Sequence, residues 1–363
     1  MLRAKSQSDE FFMSQALALA EKGRGFVSPN PLVGAVVVKN GKIIGKGYHK
    51  QFGKAHAEVN ALADAKGKTK GAALYVTLEP CTFYGKTPAC VNAVLNSGVT
   101  KVVVATKDPH SKVLGKGIEI LRKAGIKTKV GVLAKQARKQ NESYFKFVKK
   151  RLPFVILKIA STLDGKIALL NGESKWIGSK ISRDFSQKLR LGSDAILVGI
   201  NTVRKDDPRL TCRIEPKKKL AKVVLDSNLK TPLKAKVIRE DNTIIFCSAN
   251  GDQKIKQLTR KGVRVIRIKN GKKGLLPWNK ILKELYKIGI GTVLIEGGAT
   301  VASTALKAGI VDKFFLFLAP KLIGRGLSFT EGIRLKSLNQ AIKLKEYRLY
   351  QIGPDILIEG YLK

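Results

Sequence analysis

Two short stretches of this chain must meet at one point: His56-Ala57-Glu58, and Pro80-Cys81 with Cys90 nine positions on. Together they offer one imidazole, two thiols and one carboxylate. His56, Cys81 and Cys90 make a three-ligand zinc set of the open kind, which leaves a fourth position to water. Glu58 is the adjacent acid/base group. Local pattern assigns these residues to elements. Residues 55–65 read as a helix with His56 and Glu58 in its first turn. Residues 74–78 read as a strand, and Glu79-Pro80-Cys81 leaves its end. Thr87-Pro88 reads as an N-cap and first-position proline, so Cys90 falls in the first turn of a second helix ended by Gly98. Two helix N-termini facing one point favour thiolates. Residues two apart share no helix face, so His56 and Glu58 converge only at the mouth of their helix.

At 363 residues, 44% of them apolar, the chain is long enough for two domains with ordinary cores. Its net charge of +42 raises the question of a polyanion partner. The lysines are scattered through every segment, with no aromatic-interleaved basic block, so nucleic acid is not the expected partner. Four cysteines argue against a disulfide framework. With Cys81 and Cys90 assigned to metal, Cys212 and Cys247 are expected as buried thiols. No apolar run approaches the length of a membrane span and no signal-peptide core is seen, so a cytoplasmic location is expected.

Along the chain, Ser8 or Asp9 caps a helix that runs to Glu21. Asn40-Gly41 between apolar runs predicts a hairpin. Strands at 101–105 and 128–132 and a helix near 117–123 continue a mixed sheet, and residues 135–149 read as one charged helix. The break at Lys149-Lys150-Arg151-Leu152-Pro153 sets domains at 1–150 and 151–363. The second alternates again, with strands at 154–160, 195–199, 222–225, 243–247, 263–268, 292–295, 314–318 and 355–359. That predicts an α/β domain with a largely parallel core. Ligands bind outside the carboxyl ends of such strands. Three stretches leave strand ends there: residues 161–166, residues 201–210, and the Gly297-Gly298 step before a helix. The last can offer backbone amides to phosphate, but no G-x-G-x-x-G accompanies it.

The order His-x-Glu then Pro-Cys is similar to the signature of zinc nucleobase deaminases, although there the cysteines stand closer. A longer series is more specific. It runs P-N-P-x-V-G (29–34), H-A-E (56–58), T-L-E-P-C (77–81), G-K-T-P-x-C (85–90), S-T-L-D-G-K (161–166), G-E-S-x-W-I (172–177), D-A-I-L-V-G (194–199), T-V-x-x-D-D-P-x-L-T (202–211) and E-G-G (296–298). This resembles the bifunctional riboflavin-biosynthesis deaminase-reductase family along nearly the whole chain. The resemblance implies a cytidine-deaminase-like three-layer domain with one zinc, followed by a dihydrofolate-reductase-like domain that uses NADPH. The first would deaminate 2,5-diamino-6-ribosylamino-4(3H)-pyrimidinone 5′-phosphate. The second would reduce the ribosyl unit of the product to ribityl.

The resemblance also implies site residues. Asn30, His49, Lys86 and Thr87 match positions near the pyrimidine and its phosphate. Ala160, Trp176, Thr202, Asp206, Ser227 and the run Gly298, Ala299, Thr300, Val301, Ala302, Ser303 and Thr304 match the NADPH site. Ser174, Arg190, Leu210, Arg213 and Glu296 match the reductase substrate site, with the two guanidinium groups suited to phosphate. A homo-oligomer is implied as well. Two positions depart from the pattern: Phe83 stands where the family has His, and His110 where it has Asn. Phenylalanine can stack on a pyrimidine but cannot donate to it. A nucleic-acid deaminase with a basic targeting domain would share the zinc set, but leaves the motifs at 161–166, 202–211 and 296–298 without a purpose.

Overall fold

The computed structural model describes residues 7–271 and 274–362, and the chain divides into two compact units between Arg151 and Leu152. In the first unit the Ser8 hydroxyl accepts from the Phe11 amide at 3.2 Å and so caps α1 (Asp9–Glu21). The hairpin of β1 (Gly34–Lys39) and β2 (Lys42–Tyr48) turns through Asn40 and Gly41, at φ 49° and 71°. A two-residue hairpin turn requires that left-handed pair. There follow α2 (Ala57–Asp64), β3 (Ala73–Leu78), α3 (Cys90–Leu95), β4 (Lys101–Thr106), α4 (Lys116–Lys123), β5 (Lys127–Val130), α5 (Ala134–Gln140) and α6 (Glu142–Lys150).

The sheet order is β2-β1-β3-β4-β5, antiparallel at β1 and parallel from β3 to β5. Period-two burial builds three layers. Ala35, Val37, Leu74, Val76 and Val102 pack under α2, α3 and α4, whereas Val36, Val38, Tyr75 and Val103 pack under α1 and α5. Helix α2 lies directly on β2, because Gly45 has no side chain and a Cβ there would overlap the Ala61 carbonyl oxygen.

The helix expected over 135–149 is two helices, broken at Asn141. Its buried amide instead holds the Leu32 backbone at both ends: the Leu32 amide donates to Oδ1 and Nδ2 donates to the Leu32 carbonyl, each at 2.8 Å. That pair fixes the turn carrying Asn30.

The second unit holds β6 (Phe154–Thr162), β7 (Lys166–Leu169), α7 (Lys180–Leu191), β8 (Ala195–Gly199), α8 (Ile200–Asp206), β9 (Ala221–Leu225), β10 (Thr243–Cys247), α9 (Asp252–Arg260), β11 (Arg264–Arg267), α10 (Trp278–Lys287), β12 (Thr292–Ile295), α11 (Ala299–Lys307), β13 (Lys313–Ala319), β14 (Gly326–Ser328), β15 (Tyr347–Ile352) and β16 (Asp355–Tyr361). Nine strands run in the order β11-β10-β9-β8-β12-β6-β13-β16-β15. Pairing is parallel from β11 to β13, then antiparallel through β16 and β15. Helices α10 and α11 cover one face through Ile281, Leu285, Ala302 and Ala305, and α8 and α9 the other through Val203 and Leu258. Cys212 and Cys247 are free and buried.

Two strand-end stretches differ from expectation. Residues 161–166 form the turn into β7, where Asp164 accepts from the Thr162 hydroxyl (2.5 Å) and from the Gly324 amide (2.8 Å). Its carboxylate is engaged in holding another loop. Residues 201–206 are helical, not loop, and belong to α8.

Candidate active sites

The first site assembles where α2 begins, β3 ends and α3 begins. His56 is the N-cap of α2 and Glu58 its second residue. The cap of α3 is Ala89, not Thr87, so Cys90 is that helix's first residue. His56 Nδ1 lies 3.0 Å from Cys90 Sγ and 3.6 Å from Cys81 Sγ, and the three ligand atoms fall within 4.8 Å of one another. Tetrahedral zinc with nitrogen and sulfur ligands separates them by about 3.5–3.8 Å. One borderline nitrogen and two soft sulfurs at this spacing fit zinc, and among the described residues no other such cluster is found.

The two thiols differ: only Cys81 is drawn toward the thiolate that both helix starts were expected to favour. Hydrogen bonds from the Cys90 thiol, then from His56 and the Cys90 amide, outweigh burial and bring the Cys81 thiol down to about 4. The hydrogen bond to Cys81, then burial and the Glu58 and Cys81 charges, hold the Cys90 proton on in return. Glu58 is 3% exposed, and burial followed by the Cys81 charge pushes its carboxyl up to about 7. A carboxyl poised near neutrality can both take and return a proton.

A cavity of about 90 Å³ opens onto His56, Glu58 and Cys81, lined also by Asn30, His49, Phe83, Asp108, His110 and Tyr144. Buried His49 donates from Nδ1 to the Ala55 carbonyl (3.2 Å), which leaves Nε2 to accept from the Asn30 amide (3.2 Å). Burial keeps this imidazole neutral. Thr87 and Lys86 are not in the lining. The Thr87 hydroxyl stands 3.5 Å behind His56 Nε2, and the Lys86 ammonium sits 4.1 Å over the Phe52 ring.

Three residues that sequence reasoning passed over shape this site. Glu79 is 2% exposed and accepts from the amides of Asp108, Gly115 and Ile118 at 3.2, 2.9 and 3.2 Å. It ties the loop after β4 to the strand end that carries Cys81. Asp108 accepts from the Tyr144 hydroxyl at 3.0 Å, and burial pushes its carboxyl up to about 6. A buried carboxylate two residues before the zinc-set cysteine was the available signal for Glu79; Tyr144 carried none.

The second unit holds a cavity of about 910 Å³ at the carboxyl ends of β8, β9 and β12. Its walls include Ser174, Thr202, Asp206, Ser227, Gly298, Ala299, Thr300, Val301 and Thr304. Gly297 and Gly298 have φ of 115° and 80°, a region that L side chains rarely enter, and this lets the chain turn from β12 into α11 beside Thr202. Ala302 and Ser303 face the core instead, at 0% and 3% exposure. Ala160 packs on the opposite side, with Phe185 and Phe317. Trp176 is exposed, with the Arg183 guanidinium 4.4 Å over its ring.

Arg190 and Glu296 form a half-buried pair, Nη2 to Oε2 at 2.6 Å and Nε to Oε1 at 3.1 Å, and Arg190 Nη1 donates to the Thr211 carbonyl (2.8 Å). Burial, with Glu296 and Arg190 beside it, makes Lys158 on β6 a third member; burial lowers its pKa. A lysine in the middle of an apolar strand was its sequence signal. Leu210 is buried beside this region, and Arg213 is exposed with its amide held by Gln187 at 2.9 Å.

Comparison with known proteins adds to this geometry. Residues 6–106 match the cytidine and deoxycytidylate deaminase zinc-binding region, and residues 153–358 match the RibD C-terminal domain. The riboflavin biosynthesis protein RibD of Aquifex aeolicus is 45% identical over 352 residues, spanning 96% of this chain and 97% of the relative. That of Escherichia coli is 37% identical over 366 residues, with 96% and 98% covered. The solved structure of Acinetobacter baumannii RibD superposes with a TM-score of 0.90 at 36% identity, covering 98% of this chain and 99% of that one. A Thermotoga maritima diaminohydroxyphosphoribosylaminopyrimidine deaminase/5-amino-6-(5-phosphoribosylamino)uracil reductase gives 0.87 at 38%, with the same coverage. These matches support zinc in the first domain and a nicotinamide cofactor in the second. Among the described residues no helix is long and apolar enough to cross a membrane. The chain therefore belongs to the RibD family of bifunctional riboflavin-biosynthesis enzymes, in which a zinc-binding deaminase domain, a hydrolase, is joined to a reductase domain, an oxidoreductase.

Proposed function

We propose that residues 1–150 remove the amino group of 2,5-diamino-6-ribosylamino-4(3H)-pyrimidinone 5′-phosphate. Residues 151–363 then reduce the ribosyl unit of 5-amino-6-(5-phosphoribosylamino)uracil to ribityl with NADPH. The reading is carried by the convergence of His56, Cys81 and Cys90 on one point beside the buried Glu58. Those three side chains would hold one zinc per chain. Zinc bound there supplies Lewis acidity that makes water a competent nucleophile near neutral pH. Glu58 takes a proton from the attacking water and passes it to the ring nitrogen, then takes the remaining hydroxyl proton of the adduct and hands it to the departing amine, so that ammonia leaves as the carbonyl forms. Asn30 and His49 form the wall that orients the ring. Thr87 steadies His56 from behind, and Lys86 meets the phosphate by leaving the Phe52 ring.

In the second unit Thr202, Asp206, Ser227 and the 298–304 turn hold the cofactor, whose nicotinamide supplies a hydride. Arg204, Lys205 and Lys230 at the cavity wall favour the extra phosphate of NADPH. Ser174, Leu210 and Arg213 hold the substrate; Arg190 fixes Glu296, with Lys158 beside that pair. Ala160 and Trp176 complete the cofactor site at its edges. The expected assembly is a cytoplasmic homo-oligomer acting on small phosphorylated pyrimidines, with no nucleic acid or membrane partner. The test is a steady-state assay of the purified chain on the pyrimidine substrate, with zinc counted by elemental analysis. Ammonia release coupled to NADPH oxidation is expected; folded, zinc-loaded protein that releases no ammonia would overturn the reading.

A further inference from the structure

We propose that His110 is a hydrogen-bond donor that, together with the Asn30 and His49 wall, orients the pyrimidine in the first site, and that Phe83 holds its ring in the donating position. The inference rests on the deamination reading above and assigns a specificity determinant within it. Phe83 comes from the loop after β3 and His110 from the loop after β4. Their rings stack with centroids 5.5 Å apart and planes 29° from parallel, and both line the cavity that contains Glu58, His56 and Cys81.

The histidine is held at three points. Its amide donates to Asp108 Oδ1 at 2.8 Å, its Nδ1 accepts from the Lys112 amide at 3.3 Å, and one ring face meets Phe83. An Nδ1 that accepts has no proton, so the neutral ring carries its proton on Nε2. Burial, and then the charge of Lys112, favour that neutral form.

Among the described residues no protein acceptor takes the Nε2 proton. Two other polar groups in the lining are already engaged. Asp108 receives the Tyr144 hydroxyl and the His110 amide, while His49 is spent on Ala55 and Asn30. Phe83 offers only an aromatic face. A heteroaromatic ring with a carbonyl acceptor, as in a pyrimidinone, therefore finds an unengaged donor at His110. The Phe83 contact removes the rotational freedom that would otherwise weaken the bond.

The test is deamination kinetics of the full-length, zinc-loaded chain and its variants, with reduction of the deaminated product measured on each sample as a report on the fold. His110→Ala is expected to raise KM about tenfold and to change kcat by less than about threefold, as loss of one substrate hydrogen bond does. His110→Asn keeps an N–H donor and is expected to recover most of that loss. Phe83→Ala is expected to raise KM in the wild-type background and to add nothing to His110→Ala, because its effect acts through the imidazole. Wild-type KM in His110→Ala overturns the proposal. So does a His110→Asn as impaired as the alanine variant, or additivity of the two alanine changes. Should His110→Ala fail the reduction control, His110→Asn against Phe83→Ala decides. A wild-type chain that releases no ammonia sinks the deamination reading itself, and this inference with it.

Discussion

Gly47 lies against the backbone of Ala61, so that a Cβ at position 47 would overlap the Ala61 amide nitrogen and the Ala57 carbonyl oxygen. Strand β2 therefore sets the height of α2, and α2 sets the height of His56 and Glu58. Replacing Gly47 by Val should lift the helix and cost about 2 kcal/mol as an overpacked contact. The expected outcome is a lower Tm together with reduced zinc content. Full zinc occupancy at an unchanged Tm would show that the helix position is not set here.

Glu58→Gln should lower ammonia release by about a thousandfold, since the amide can neither take nor return the proton. Zinc content and NADPH-dependent reduction of the deaminated intermediate should be unchanged. Loss of reduction in folded protein would contradict independent chemistry in the two units.

The Arg190–Glu296 pair is largely shielded from solvent on both sides, with side-chain exposures of 18% and 11%. Glu296→Leu leaves a guanidinium and the neighbouring Lys158 without their counter-charge, a change that costs about 3 kcal/mol when one partner of a buried pair is removed. Chemical denaturation should show the second unit unfolding at lower denaturant. Reduction should be lost, with ammonia release retained.

Asp9 supplies a pH-dependent contribution to the first unit. Burial raises its pKa, but hydrogen bonds from Lys129, Tyr75 and Lys101 outweigh burial and hold the carboxyl well below the usual carboxylate range. A depressed folded pKa means stability that is present above the unfolded value, about 3.9, and is lost as pH falls below it. Asp9→Asn should therefore lower stability by about 1 kcal/mol at neutral pH, and the gap from wild type should begin to narrow as pH falls below about 4 towards pH 3. Thermal melts across that range check it; a gap that widens in acid would reverse the assignment.

The sequence was most legible where short-range chemistry decides. The Asn40-Gly41 turn, the Ser8 cap and the zinc-set residues follow from residue type and spacing alone, and α1, β3 and β4 lie where alternation and caps put them. Long-range service was hidden. Asn141 reads as an ordinary helical residue until Leu32, 109 positions away, is seen in its amide. Asp164 reads as a ligand-facing carboxylate until its bond to Gly324 appears. Ala302 and Ser303 fall within a run of cofactor-site positions, yet helical periodicity turns them into the core while Val301 and Thr304 face the cavity. Strand β15 went unread because nearly all its side chains are exposed, leaving no alternation to detect.

The three amides gathered by Glu79 make the metal strand and the recognition loop one mechanical block. On the proposed reading, substrate preference can drift by exchanging side chains at positions such as 83 and 110, while adding or deleting a residue between 108 and 118 would pull on Cys81, which would hold the metal. Selectivity here is free to change its chemistry but not its length.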